Sequence, residues 1–271
     1  MRHQCFRLCL YVFSLCAAAV AWSAEPTPLL RAHAHNDYEH ARPLHDALAC
    51  GFGSIEADIH LVEGRLLVAH DRKSVKPERT LEVLYLDPLR ERAKQNGGRV
   101  YRQGPTVTLL VDVKTEAVAT YQALHEVLRG YADILTVFRA GVVEPAAVTV
   151  VLSGNRARAE VAAQPERYVA IDGRIEDLAT NSPATLVPWV SDNWQKVSTW
   201  KWTGAMPEAD RAKLREHVTQ AHAQGRRIRF WNTPDRPEVW QLLHAAGVDL
   251  IGTDHLPELR DFLLPLATGA R

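Results

Sequence analysis

From residue 30 to residue 264 the chain repeats one rhythm: a short apolar or alternating run, a turn, then a stretch with helical spacing. Residues 30–35 read as a strand, and Pro43 to Ala49 as a helix that stops at Gly51. Ser54-Ile55-Glu56-Ala57-Asp58-Ile59 alternates as a strand does. Gly64 turns the chain, and Leu66 to His70 returns as a short extended piece. Thr80 to Gln95 predicts a helix, closed by the turn Asn96-Gly97-Gly98. Val107 to Val113 is continuously apolar but for Thr108 and Asp112, the pattern of a buried parallel strand. A helix over Ala117 to Leu135 follows, then a strand over Ala147 to Leu152 and a short helix over Arg156 to Ala163. Tyr168 to Ile171 is a strand with a loop through Asn181, and Leu186 to Val190 is another strand. Glu208 to Gln224 is an amphipathic helix ended by Gly225, and Arg227 to Trp231 a strand. Pro237 to Ala246 is a helix ended by Gly247, Asp249 to Thr253 the last strand, and Pro257 to Leu264 the last helix.

Without the short return, eight candidate strands alternate with helices. Such alternation predicts a parallel sheet covered by helices. Eight units in a chain of 271 residues predict closure into a single α/β domain, a (β/α)8 TIM barrel. A doubly wound open sheet is the alternative. There is no Gly/Ser-rich linker and no sequence repeat to divide residues 25–271.

Composition changes this picture only at the N-terminus. Arg2 and Arg7 precede an apolar run from Leu8 to Val20, and small residues surround Ala21 and Ala24. This predicts a signal peptide over residues 1–24, cut after Ala21 or Ala24, and a periplasmic or secreted product. The run is short for a membrane span, so no stable membrane insertion is expected after cleavage. Removing residues 1–24 takes two of the 32 basic residues and no acid, leaving 30 against 32 acidic. A balance this even provides no field for nucleic acid or an anionic membrane. Cys50 alone remains of four cysteines, which rules out an intrachain disulfide. It stands at a helix end and reads as a small buried residue rather than a nucleophile.

Polar residues gather at the C-terminal ends of the predicted strands: His35, Glu56, Asp58, Asp112, Lys114, Ser153, Asp172, Asp192, Trp231 and Asp254. In a (β/α)8 barrel those ends converge on one mouth, where active sites are built. The competing reading of any one of them is a cap on the next helix, strongest for Asp192 and Asp254. Glu56 and Asp58 lie two apart on a strand and share a face. Two inward carboxylates are tolerated when a cation lies between them. Asp112, an acid inside an apolar run, completes an all-oxygen set suited to one divalent cation, Mg2+ or Ca2+, rather than zinc. Asp112 paired with Lys114 alone is the plainer alternative. His35 and His70 bracket the acid pair, and two imidazoles serve proton removal from an attacking hydroxyl and proton delivery to a leaving oxygen. Lys114 would assist in stabilising charge on phosphoryl oxygens. His33, His40, His45 and His60 read as structural or rim residues. Trp189, Trp194, Trp200 and Trp202 cluster near the sixth strand's end, either as an apolar or choline-binding wall or as packing for a long loop.

These residues also carry a resemblance. His35-Asn36, then Gly53-x-x-Glu56-x-Asp58, then His70-Asp71 resembles the glycerophosphodiester phosphodiesterase pattern within the phospholipase-C-like phosphodiesterase superfamily. His33-Ala34-His35-Asn36-Asp37-Tyr38 is similar to its branch related to the fungal "altered inheritance of mitochondria protein 6". Asp112-Val113-Lys114-Thr115 resembles the Asp-x-Lys segment of sphingomyelinase D. Trp231-Asn232-Thr233 and the ending Gly247-x-Asp249…Thr253-Asp254 resemble later segments of the superfamily. The resemblance implies a (β/α)8 barrel, catalytic His35 and His70, a cation at Glu56, Asp58 and Asp112, and substrate contacts from Asn36, Lys114, Trp231 and Asp254. It implies a small-molecule or lipid phosphodiester substrate, with the chain acting as a monomer. Asn36-Asp37 replaces the Arg-Gly of the family pattern, and the Glu-Asn-Thr segment is absent.

Two other readings start from the same residues. His33-x-His35 also resembles zinc amidohydrolases and PHP phosphoesterases, though later strand ends offer Asp172, Asp192 and Asp254 where those enzymes place histidines. A non-catalytic periplasmic barrel with a relic site is the second.

Overall fold

A computed structural model describes residues 25–269. The expected signal segment, residues 1–24, lies outside the described residues. Eight parallel strands, numbered here β1 to β8, follow one another around a barrel: Leu29–Ala34 (β1), Phe52–Val62 (β2), Val107–Val113 (β3), Val148–Gly154 (β4), Val169–Gly173 (β5), Trp189–Asn193 (β6), Arg227–Trp231 (β7) and Ile251–Thr253 (β8). Each pairs with its successor in sequence as far as β7, and β1 pairs with β8. From β7 to β8 the ladder is one parallel bridge, Arg229 to Leu250, so the barrel is nearly closed. Among the described residues the α-helices are His45–Ala49 (α1), Asp87–Gln95 (α2), Ala117–Arg129 (α3), Arg158–Ala163 (α4), Glu208–Ala223 (α5), Pro237–Ala245 (α6) and Leu256–Thr268 (α7). The expected (β/α)8 barrel is therefore what forms, and the open-sheet alternative is excluded by the β7–β8 bridge that joins the two ends of the strand row. Among the described residues no helix is long and apolar enough to cross a membrane.

Several elements differ from the sequence expectation. The helix expected over 117–135 stops at Arg129. Gly130, a poor helix former, ends it, and Val137 to Arg139 enters a small antiparallel ribbon with Val142–Glu144 and Glu166–Arg167. That ribbon was not expected, because pieces of two or three residues carry no readable period. The sixth strand begins at Trp189, not Leu186, because Pro188 has no N–H to give a ladder. After β5 a 3-10 turn, Ile175–Ala179, stands where other units place an α-helix. The Ile175 N–H donates to Asp192 Oδ2 at 3.2 Å, so Asp192 serves the preceding turn and does not cap the next helix.

Period-two alternation decides what enters the lumen. On β2, Ile55, Ala57 and Ile59 join the outer core against the helices, leaving Ser54, Glu56, Asp58 and His60 to face inward. The lumen floor is a separate apolar cluster of Leu110, Val151, Ala170, Trp189 and Leu250, closed below by Phe138 from the ribbon. The Arg167 guanidinium stacks on the Phe138 ring at 4.2 Å. Above this dry floor the inward positions turn polar: His33, Glu56 and Arg229 first, then Asp58, Asp112, Ser153 and Asp172 towards the strand ends. The floor keeps water away from the lower groups, so each must find a partner inside the barrel.

Candidate active site

The β2–β3 register sets Asp58 beside Asp112. Glu56, Asp58 and Asp112 each bring an oxygen within 4.8 Å of the other two. The Lys114 ammonium lies 3.0 Å from Asp58 Oδ2 and 3.1 Å from Asp112 Oδ1. Burial, with Glu56 adding repulsion, pushes the Asp58 carboxyl up to about 6 against the pull of Lys114. Asp112 also moves up, mainly through burial. Burial works against the Lys114 charge, yet the two acids hold its pKa above the ordinary lysine value. Asp58 Oδ1 is buried with no hydrogen-bond partner, the kind of orphan that a cation satisfies. Three oxygen donors and an unsatisfied buried oxygen fit a hard divalent cation.

Asp112 is seated by Gly154 at the end of β4. Gly154 has φ +67°, and a Cβ there would lie 2.2 Å from Asp112 Oδ1 and 2.5 Å from Val113 O. Gly154→Ala is expected to cost at least about 2 kcal/mol through strain and displaced Asp112. Urea unfolding in the absence of metal checks this, and an unchanged midpoint would show that the loop yields freely.

Two residues lie beneath the carboxylates: His33, read from sequence as structural or as half of a zinc pair, and Arg229, which was not singled out. His33 is fully buried, with Nδ1 2.8 Å from Ser54 Oγ and Nε2 3.0 Å from Glu56 Oε2. Arg229 donates to the same Glu56 oxygen at 3.3 Å. Burial would raise the Glu56 carboxyl, but the His33 hydrogen bond and the Arg229 guanidinium hold it well below the usual range. Burial and Arg229 drive His33 down to about 3, so it is neutral at pH 7. Strand parity was the available signal: His33 stands two before His35, and Arg229 two before Trp231, each on the lumen face. Both His33 nitrogens are engaged, and among the described residues the cluster that could hold a metal is Glu56, Asp58 and Asp112, not a His33/His35 pair.

The two histidines expected at the mouth are joined by one network. His35 Nδ1 lies 2.8 Å from Asp254 Oδ1, and Asn36 Nδ2 donates to that oxygen at 3.3 Å. Tyr38 Oη lies 2.7 Å from Asn36 Oδ1, 2.7 Å from Asp58 Oδ2 and 3.1 Å from His70 Nδ1. The chain His35–Asp254–Asn36–Tyr38–His70 thus links both imidazoles. Each ring is held through Nδ1, which leaves Nε2 free on both. Burial lowers His35, but the Asp254 hydrogen bond and the Glu56 charge more than compensate and raise it above the ordinary histidine value. Asn36 reaches this position with φ 48°, a left-handed backbone that asparagine tolerates. Tyr38, fully buried on a 3-10 turn, was missed because its role depends on that turn.

His35, Trp231 and Asp254 line a cavity of about 250 Å3 between β7 and β8, with Arg229 at its base. Trp231 is 39% exposed and forms its rim. All nine candidate residues therefore surround one mouth. Opposite, Asp172 is satisfied by Ser153 Oγ at 2.7 Å, Ser191 Oγ at 2.7 Å and Arg174 at 2.8 Å.

A profile of the AIM6-like phosphodiesterase domain matches residues 23–172, more than half of the chain. The chain belongs to the AIM6-like phosphodiesterase family. Residues 227–257 match the glycerophosphoryl diester phosphodiesterase family, the stretch holding Arg229, Trp231 and Asp254. It is 30% identical over 284 residues to altered inheritance of mitochondria protein 6 of Eremothecium gossypii, covering 90% of this chain and 72% of that one. A homolog from Arthroderma benhamiae is 27% identical, covering 82% and 80%. A crystal structure of a glycerophosphodiester phosphodiesterase from Parabacteroides distasonis superposes with a TM-score of 0.53 at 16% identity, covering 90% of this chain and all of that one. That likeness supports the barrel. The family membership carries the resemblance first read from the histidine and acid motifs.

Proposed function

We propose that this member of the AIM6-like phosphodiesterase family cleaves a glycerophosphodiester or phospholipid-type phosphodiester, with His35 and His70 exchanging protons and Glu56, Asp58 and Asp112 holding Mg2+ or Ca2+. The observation that carries this is the pair of imidazoles, each tied at Nδ1 and free at Nε2, beside three convergent carboxylates. When bound, the cation supplies Lewis-acid stabilisation of the phosphoryl oxygens. Three carboxylates and a phosphodiester bring four negative charges, Lys114 and Arg229 return two, and a divalent cation balances the rest. One Nε2 takes the proton of the attacking hydroxyl as the new P–O bond forms. The other Nε2 gives a proton to the departing alkoxide as the old P–O bond breaks. Asn36 and Trp231 border the substrate, and Lys114 faces the phosphoryl charge.

The substrate is a small molecule or lipid reached by the chain as a monomer, and the apolar N-terminal run with Arg2 and Arg7 supports export. N-terminal sequencing of exported protein tests the cleavage. Hydrolysis of a panel of glycerophosphodiesters and lysophospholipids, with EDTA controls, tests the activity. Neutralising Asp254 adds a pH signature. With Asp254→Asn the carboxylate no longer supports the His35 imidazolium, so the limb of the pH–rate profile that belongs to His35 is expected to move to lower pH. An unmoved profile would remove His35 from proton transfer.

A further inference from the structure

A second cavity opens beside the first and shares Asn232 and Thr233 with it. Its volume is about 540 Å3, roughly twice that of the cavity at His35. Three indoles form one side. The Trp194 and Trp202 rings lie 4.6 Å apart, and the Trp200 and Trp202 rings 5.1 Å apart. Trp194 is buried and makes the floor; Trp200 and Trp202 are half-buried and face the opening. The sequence expectation of a tryptophan cluster near the sixth strand thus divides: Trp189 belongs to the lumen floor, and the other three to this cavity.

The wall is held rigid. Trp200 Nε1 donates to Thr203 O at 2.9 Å, and its backbone N–H donates to Ser198 Oγ at 3.0 Å. The Ser198 hydroxyl donates in turn to Asp210 at 2.6 Å. Trp202 has φ 62° and Asn232 φ 61°, both in the left-handed region. A bulky residue there costs about 1–3 kcal/mol and persists where the surroundings over-determine it, which is common at ligand clamps. The strain sits on Trp202, on the aromatic side of this opening; Asn232 tolerates its conformation.

We propose that this cavity is the subsite for one alcohol of the phosphodiester, and that it takes a polyhydroxylated ring, a sugar or a cyclitol. The inference rests on the phosphodiesterase reading above. Its lining decides the class. Beside the indoles stand neutral hydrogen-bonding groups, Gln195, Thr199, Asn232 and Thr233, and the charged lining residue is Lys201. A quaternary ammonium would gain the indole faces but meet the Lys201 charge without a carboxylate among the lining residues. An acyl chain would desolvate the amide and hydroxyl groups and return no hydrogen bonds. A polyol ring sets its C–H face on the indoles and its hydroxyls on the polar rim.

The test compares glycerophosphoinositol with glycerophosphocholine and a lysophosphatidylcholine, in the wild type, Trp200→Ala and Trp200→Phe. The wild type is expected to favour the inositol ester in kcat/KM by about tenfold. Trp200→Ala is expected to erase that preference, and Trp200→Phe to restore most of it. Titration of tryptophan emission with myo-inositol and with choline chloride supplies a readout without turnover. Saturable change with myo-inositol, lost in Trp200→Ala and kept in His35→Ala, is expected. Cleavage without ring preference and without an inositol response would overturn the subsite and leave the phosphodiesterase reading standing. A preference for the lysophospholipid or the choline ester would overturn it too. An inositol response that needs Trp200, in a protein that cleaves none of the esters, would uphold the subsite and overturn the catalytic reading.

Discussion

His35→Ala and His70→Ala are each expected to lower kcat for phosphodiester hydrolysis by roughly 10²–10⁴-fold, with KM changed little. Each imidazole is fixed through Nδ1, one by Asp254 and one by the Tyr38 and Asp58 oxygens, so each presents a single nitrogen to the reaction. Both side chains are partly exposed, 38% for His35 and 60% for His70, and neither packs a core, so folding survives truncation. The double variant is expected to lose far less than the product of the single losses. Without one proton carrier the other has no matching step to assist. Steady-state kinetics at saturating Mg2+ or Ca2+ measures this. Unchanged hydrolysis in both single variants would overturn the assignment of His35 and His70 as the catalytic pair.

The second large effect concerns the carboxylates. At pH 7.5 a divalent cation at a hundred times its dissociation constant is expected to raise the unfolding midpoint by roughly 5–10 °C. The pH dependence follows from Asp58. Its folded pKa, pushed from 3.8 to about 6, lies above its unfolded value. The cation-free protein therefore holds the corresponding stability in full below pH about 4 and loses it as pH rises through 6, about 3 kcal/mol in all. Binding needs the ionised carboxylate, so the thermal shift is expected to shrink steadily below pH 6. Asp58→Asn removes the repulsion with Glu56 and Asp112 without removing volume. It is expected to raise the cation-free midpoint at pH 7.5, while abolishing both the cation-induced shift and activity. Calorimetry with and without EDTA reads all three. A cation shift that persists in Asp58→Asn would place the ion elsewhere.

These expectations rest on residues of unequal legibility. Glu56 and Asp58 were readable because two acids on one face of an apolar strand have few reasons to exist apart from a shared ligand. Asp112 was readable for the same reason. His33 and Arg229 were present in the same alternation but looked ordinary, since neither sits at a strand end. Their partner, Glu56, is supplied from a third strand, and only barrel closure brings β7 back against β1 and β2. Tyr38 depends on a 3-10 turn and on Asn36 in a left-handed backbone. The tryptophan cavity depends on a loop over residues 194–202 whose folding no period foretells.

Period-two alternation and helix stops at glycine, both local properties of the chain, already marked eight strands in β/α alternation and favoured a barrel over an open sheet. They determined that His35, Glu56, Asp58, His70, Asp112 and Asp254 would lie at one mouth, because strand ends in this topology have nowhere else to go. Tertiary structure decided what those groups do to one another. The β2–β3 register set Asp58 beside Asp112, the return of β7 placed the Arg229 guanidinium under Glu56, and loop geometry joined two histidines through Asn36 and Tyr38. Distances of about 3 Å between residues far apart in sequence fix charge and proton position, and such distances exist only once the barrel has closed.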